Sequence, residues 1–202
     1  MKNLIIITLA FIVTNANSQE LSENGTPASA RFGFSIGYFG DKLTNHGYSI
    51  GLENYLATTK NYVVIGSLQF SNYFAKQNFS AISLSPKIGL RYTTNFGLTF
   101  ENHLGMGYLH RFYHYSQFEV NAQGQIFSKR KATQASAMPS IILGTGYDFR
   151  RKAKLPMLYF LRVSTNFFYP NRNFRFEISY ALETGFVYIP QIMKRNIKNT
   201  SR

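Results

Sequence analysis

From Phe174 to Tyr188 the chain alternates. The even positions carry Phe174, Phe176, Ile178, Tyr180, Leu182, Thr184, Phe186 and Tyr188, and the odd positions carry Arg175, Glu177, Ser179, Ala181, Glu183, Gly185 and Val187. Successive side chains on a strand point to opposite faces, so one face here is large and apolar and the other small or charged. Charges set between apolar neighbours exclude a strand buried on both sides. The run is longer than the roughly 5–6 residues usual in soluble sheets. It also exceeds the about 9–11 that a tilted strand needs to cross a bilayer. The apolar face is read as facing lipid and the other as lining a narrow barrel.

The same period recurs upstream. Strands are predicted over Arg31 to Phe39, Gly47 to Leu56, Tyr62 to Tyr73, Phe79 to Tyr92, Phe96 to Phe112, Ala135 to Phe149 and Met157 to Phe168. Glycine and serine recur on the inward parity, as a narrow lumen requires. Pro86 removes a ladder donor and is expected to mark a bulge. With the last strand the count is eight, giving an all-β, eight-stranded antiparallel up-and-down transmembrane β-barrel over residues 31–190. Closure is required because an open edge in lipid leaves backbone groups unpaired. A soluble lipocalin-like barrel is the alternative, with its apolar face inside. Small inward faces and long strands argue against it.

Thr93-Thr94-Asn95 reads as a tight turn, which would set Tyr92 opposite Phe96 and Lys87 opposite Glu101. Opposite charges facing across strands attract. Residues 113–134 form the longest connection, which is polar and basic, with a protruding hairpin as the alternative. Short connections belong to the periplasmic side and long ones to the outside. That places both termini in the periplasm, with Tyr92 and Phe96 at the inner aromatic girdle and Tyr108, Phe112 and Tyr169 at the outer one.

Composition adds an address. Met1-Lys2-Asn3, the apolar run Leu4 to Val13 and Ala16-Asn17-Ser18 form a signal peptide over residues 1–18, with cleavage expected after Ser18. Residues 19–30 read as a flexible lead-in and 191–202 as a basic tail. The chain has no Cys, which excludes disulfides and a lipid-anchored N-terminus. Net charge is +13, which favours acidic partners. For an exported chain these are headgroup and lipopolysaccharide phosphates rather than nucleic acid.

The pieces Gly105-Met106-Gly107-Tyr108-Leu109 and Leu143-Gly144-Thr145-Gly146-Tyr147-Asp148 are similar to strand signatures of short outer-membrane barrels. The whole mature chain resembles the OmpA/OmpX-like eight-stranded barrels of Gram-negative bacteria. That resemblance implies a bacterial outer-membrane location and insertion by the barrel assembly machinery; a companion membrane protein is a third reading, and it leaves no mark in the sequence. One departure is that the chain runs on past Tyr188, so the last-strand insertion signal would be internal, around Gly185 to Ile189.

An eight-stranded barrel is just wide enough for side chains. Glu53, Lys87, Arg91, Glu101, His103, Arg111, Arg162, Glu177 and Glu183 are expected to form a paired polar network filling it. The role expected is non-enzymatic, structural or surface-interacting, with Lys129, Arg130, Lys131 and Arg172 meeting lipopolysaccharide. The alternative is a hydrolase. His114 and Ser116 share a strand face, and lipid A deacylases are eight-stranded barrels with a His-x-Ser pair and a later Glu, here Glu119. Gln117 stands where that family has Asn, and Glu119 has the wrong parity. His110, His114 and Glu119 make a weak metal pattern, and neither a metal nor another cofactor is expected.

Overall fold

The computed structural model describes residues 32–42, 44–75, 78–114, 117–120, 123–129, 133–170 and 176–190, with the backbone alone at 117–120 and 126–129. The expected signal peptide, lead-in and basic tail lie outside the described residues.

Eight long strands close on themselves: β1 (Phe32–Asp41), β2 (Asn45–Thr58), β3 (Tyr62–Ala75), β4 (Phe79–Thr93), β5 (Leu98–Tyr113), β8 (Thr133–Asp148), β9 (Met157–Phe168) and β10 (Glu177–Tyr188). Between β5 and β8, β6 (Gln117–Val120) and β7 (Ile126–Lys129) form a separate two-stranded sheet. Each long strand pairs antiparallel with its neighbours in sequence, and β1 closes the barrel against β10. The chain is an all-β, eight-stranded, up-and-down barrel.

The alternation sorts the two faces. Phe176, Ile178, Tyr180 and Phe186 are exposed, at 73%, 53%, 62% and 42%, while Glu183 on the other parity is 5% exposed. Leu104, Met106, Leu143, Ile36 and Ile88 extend the exposed apolar belt around the barrel. A soluble barrel would bury these residues. Fully exposed to water, a continuous belt of this kind would be an aggregation surface; in a bilayer it is the lipid-facing side.

Three expectations need correction. Tyr92 faces Phe100, not Phe96, and Glu101 faces Arg91, while Lys87 faces Gly105. The turn has the expected length but lies two residues later. Gly97 N–H donates to Thr94 O at 3.1 Å, and Gly97 takes φ 104°. A three-residue hairpin loop ending in a left-handed residue favours glycine there, so Phe96 sits in the turn. The slip is even, so no side chain changes face. Pro86 marks no bulge, because Leu84 with Tyr108 and Lys87 with Gly105 keep one register on both sides of it. The register shift occurs instead in β2, between Tyr55 and Ala57. Finally, the last strand begins at Glu177; residues 171–175 lie outside the described residues.

Candidate functional site: the barrel interior and its two mouths

The interior holds charged side chains brought in from several strands. Glu53 on β2, Arg91 on β4, Glu101 on β5 and Arg162 on β9 form a closed ring of alternating sign. Arg91 Nε donates to Glu101 Oε1 at 2.6 Å, and Arg91 Nη2 donates to both Glu53 oxygens at 2.9 and 3.0 Å. Arg162 Nε donates to Glu101 Oε2 at 2.8 Å and its Nη2 to Glu53 Oε1 at 2.9 Å. His103 Nε2 lies 3.1 Å from Glu101 Oε2, and Tyr55 OH donates to Glu53 at 3.2 Å. All four ring members are buried. Two cations balance two anions, which makes their removal from water tolerable.

Sequence position explains how the ring closes. Gly144 on β8 lies between Glu101 and Arg162 in the sheet. A Cβ there would sit 2.9 Å from Arg162 Cγ. With no side chain on β8, Arg162 reaches across it to β5. Its guanidinium also lies over the Phe160 ring, 4.1 Å from the centroid.

A second chain of contacts crosses higher in the lumen. Lys87 donates to Gln69, and Gln69 Nε2 donates to Glu183 Oε1 at 3.0 Å. Ser49 Oγ donates to the same oxygen at 2.6 Å. Between this chain and a layer containing Phe39 and Met138 lies a cavity of about 20 Å³, lined by Ser85, Ser140, Ser164 and Asn166 among others. That volume suits one water molecule.

Apolar side chains occupy both ends of the interior. Leu158, Phe160, Val187 and Ile189, with Tyr55 against them, sit near the end where β1 starts and β10 ends, here the terminal end. Phe39, Tyr73, Leu109, Met138 and Phe168 sit toward the other, hairpin end. Beyond them, Glu177 accepts from Arg111 Nη1 at 2.9 Å and from Lys42 Nζ at 2.8 Å. Arg111 also lies against the Phe168 ring, 4.7 Å from the centroid.

The nine charged residues expected inside thus fall into three groups: a ring with His103, a chain through Lys87 and Glu183, and a hairpin-end pair of Arg111 and Glu177. The partners Gln69, Ser49, Tyr55 and Lys42 were missed. The first three have the inward parity of their strands, which was the available signal. Lys42 reads as a turn residue and gives none.

Of the other candidate residues, only His110 and His114 have described side chains. His114 N–H donates to Asn78 O at 3.0 Å, just past the end of β5. Ser116 and the side chain of Glu119 lie outside the described residues, as do Arg130, Lys131, Arg172 and the side chain of Lys129. His110 sits on the outer face, its Nδ1 2.8 Å from Tyr108 OH and its ring 4.5 Å from Phe112. Among the described residues no group of three His, Cys, Asp or Glu is placed to hold a metal.

Aromatic pairs mark both rims of the belt. At the terminal end Tyr62 meets Tyr92 at 4.9 Å, Tyr147 meets Phe149 at 5.1 Å and Tyr159 meets Phe186 at 5.6 Å. At the hairpin end Tyr169 stacks on Phe176 at 4.9 Å.

No protein-family model matches the sequence, and comparison with curated proteins finds no match either. Solved structures do match. The chain is similar to neisserial surface protein A, NspA, at 9% identity over 81% of this chain and 99% of that one, with a TM-score of 0.51. Other matches are the N-terminal β-barrel domain of Pseudomonas aeruginosa OprF (18% identity, 79% and 99% covered, TM-score 0.44). Ail, the attachment invasion locus protein of Yersinia pestis, matches at 11% identity, with 78% and 97% covered and a TM-score of 0.45. At such identities the likeness to NspA concerns the fold, and it agrees with the topology of this chain: a single closed barrel of the outer-membrane type.

Proposed function

We propose that this chain is a non-enzymatic protein of the bacterial outer membrane, structural or surface-interacting, whose own side chains close its lumen to solutes. The observation that carries the reading is the reversal of a soluble core: an exposed apolar belt surrounds a buried ring of paired ions. The cavity beside Ser85 and Ser140 is too small for a solute path, and apolar layers stand toward both mouths. Export follows from a signal peptide ending at Ser18, so the mature chain begins at Gln19. Insertion falls to the barrel assembly machinery. On the outer side, Lys129, Arg130, Lys131 and Arg172 are positioned in sequence to meet lipopolysaccharide phosphates.

Membrane fractionation with gel electrophoresis, followed by planar-bilayer recording, tests the reading. The protein is expected in the outer-membrane fraction, with faster migration before boiling than after, and no steady current in a bilayer. A protein that stays soluble without detergent would overturn the membrane location. A stable open conductance would overturn the closed lumen.

A further inference from the structure

Apart from Lys42 at the hairpin end, the Lys and Arg outside the lumen whose side chains are described gather at the terminal end. The connection from β8 to β9 runs Arg150-Arg151-Lys152-Ala153-Lys154-Leu155. It is an ordered turn: Ala153 N–H donates to Phe149 O at 2.8 Å and Met157 N–H to Leu155 O at 2.8 Å. Arg151 Nη2 donates to Lys60 O at 2.8 Å, tying this turn across the barrel mouth to the β2–β3 turn, which stands on the opposite side in the closed strand order. The tie holds the Lys60 backbone against the basic turn, and the Lys60 side chain is exposed at the same end of the barrel.

Acid does not balance this group. Asp148 is taken by Arg150, through Nη2 at 2.6 Å and Nε at 2.8 Å. The other acids whose side chains are described are Asp41, Glu53, Glu101, Glu177 and Glu183, and they lie in the lumen or at the hairpin end. Among the described residues, Lys60, Arg151, Lys152 and Lys154 pair with no carboxylate, and all four are exposed.

Position selects the partner. The turn begins next to Phe149, part of the terminal-end girdle, and Lys154 is three residues from Met157 at the start of β9. The backbone cannot carry those cations more than about 14 Å from the strand ends. That is headgroup height for a barrel whose girdle marks the membrane interface. Leu155, 51% exposed, adds an apolar side chain beside them.

We propose that this basic end binds anionic phospholipid headgroups of the leaflet at the terminal end, with Lys60, Lys152 and Lys154 as the contacts and Arg151 as the side chain that joins the two turns. The proposal rests on the membrane-barrel reading above. It differs from that reading's lipopolysaccharide contact in residues and in side of the membrane.

Native mass spectrometry of the full folded chain in detergent micelles, with phosphatidylglycerol or phosphatidylcholine added at equal concentration, tests it. Wild type is expected to retain phosphatidylglycerol about tenfold over phosphatidylcholine, and K60Q/R151Q/K152Q/K154Q to lose that preference. If this variant fails to fold, K60Q/K152Q/K154Q decides. It keeps Arg151 and the Lys60 carbonyl, and is expected to lose most of the preference with heat-modifiable migration intact. Equal retention of both lipids by wild type, or an unchanged ratio in these variants, overturns the proposal. So does loss of peptidoglycan retention in those variants with lipid preference kept, which would make this end a wall contact. Failure of the barrel reading itself would show separately, as no heat-modifiable band for wild type.

Discussion

Arg91 and Glu101 stand directly opposite each other on β4 and β5, with 2.6 Å between guanidinium Nε and carboxylate oxygen. The same Arg91 also holds Glu53 from β2. One side chain therefore ties three strands from inside. Arg91→Met leaves two buried carboxylates to share Arg162, and breaking a buried pair in this way costs about 3–5 kcal/mol. The shift in urea midpoint of the folded band in lipid vesicles measures it. The double variant R91M/E101Q restores the charge balance and is expected to lose less than the sum of its single variants. Additive losses would show that the two residues are not coupled.

Gly144 tests how the ring crosses β8. Its Cβ would come 2.9 Å from the stem of Arg162 and 3.2 Å from Leu161 O. Gly144→Ala is expected to destabilise the barrel by about 1–3 kcal/mol, as overpacking does. Gly66 on β3 is the control. A Cβ there meets only the Leu56 side chain, from 3.4 Å outward, so Gly66→Ala is expected to be neutral or to stabilise by up to about 1 kcal/mol. Parallel urea titrations of the two variants give the contrast, and equal midpoints would sink it.

The β4–β5 turn carries a backbone prediction. At φ 104°, Gly97 occupies a region that L side chains rarely adopt. Gly97→Ala is expected to cost about 1–2 kcal/mol and to slow formation of the heat-modifiable band. Asn95→Ala, two residues earlier at an exposed turn position, serves as the comparison. A refolding time course of both variants in detergent reads the difference.

Much of this barrel was legible because membrane strands are written twice over, in period and in parity. Glu177 and Glu183 announce an inward face as clearly as Ile178 and Tyr180 announce an outward one. Register was harder. The Thr93-Thr94-Asn95 and Asn95-Phe96-Gly97 placements of the turn both preserve parity, and only the left-handed glycine separates them. An aromatic at Phe96 argued for strand and lost to that backbone requirement. Pro86 misled for a related reason: a missing donor leaves one ladder bond unmade without forcing an extra residue into the strand. Which inward charges would meet was not legible either. Arg162 reaches Glu101 over a glycine on the strand between them and Glu53 across the lumen, contacts that depend on closure and shear. The run Arg150 to Lys154 is plain in the sequence as charge, but its tie to Lys60 is not, because that bond links turns on opposite sides of the barrel.

The lipid face yields the sharpest prediction. Leu104 is 62% exposed and lies between Ile88 on β4 and Ile141 on β8, both also exposed. On a water-soluble barrel, Leu104→Arg would replace an exposed apolar group with a well-solvated one and leave stability nearly unchanged or improved. In a bilayer the same arginine faces hydrocarbon, at a cost of about 2–4 kcal/mol near the midplane, falling to about 0–1 at the interface. The terminal-end turn residue Lys60→Arg should show no loss, since its side chain lies beyond the belt. Folding of wild type, L104R and K60R into phospholipid vesicles, followed by urea titration, separates the two environments. A large loss confined to L104R is the expected result. An L104R barrel as stable as wild type would mean that lipid does not touch this surface.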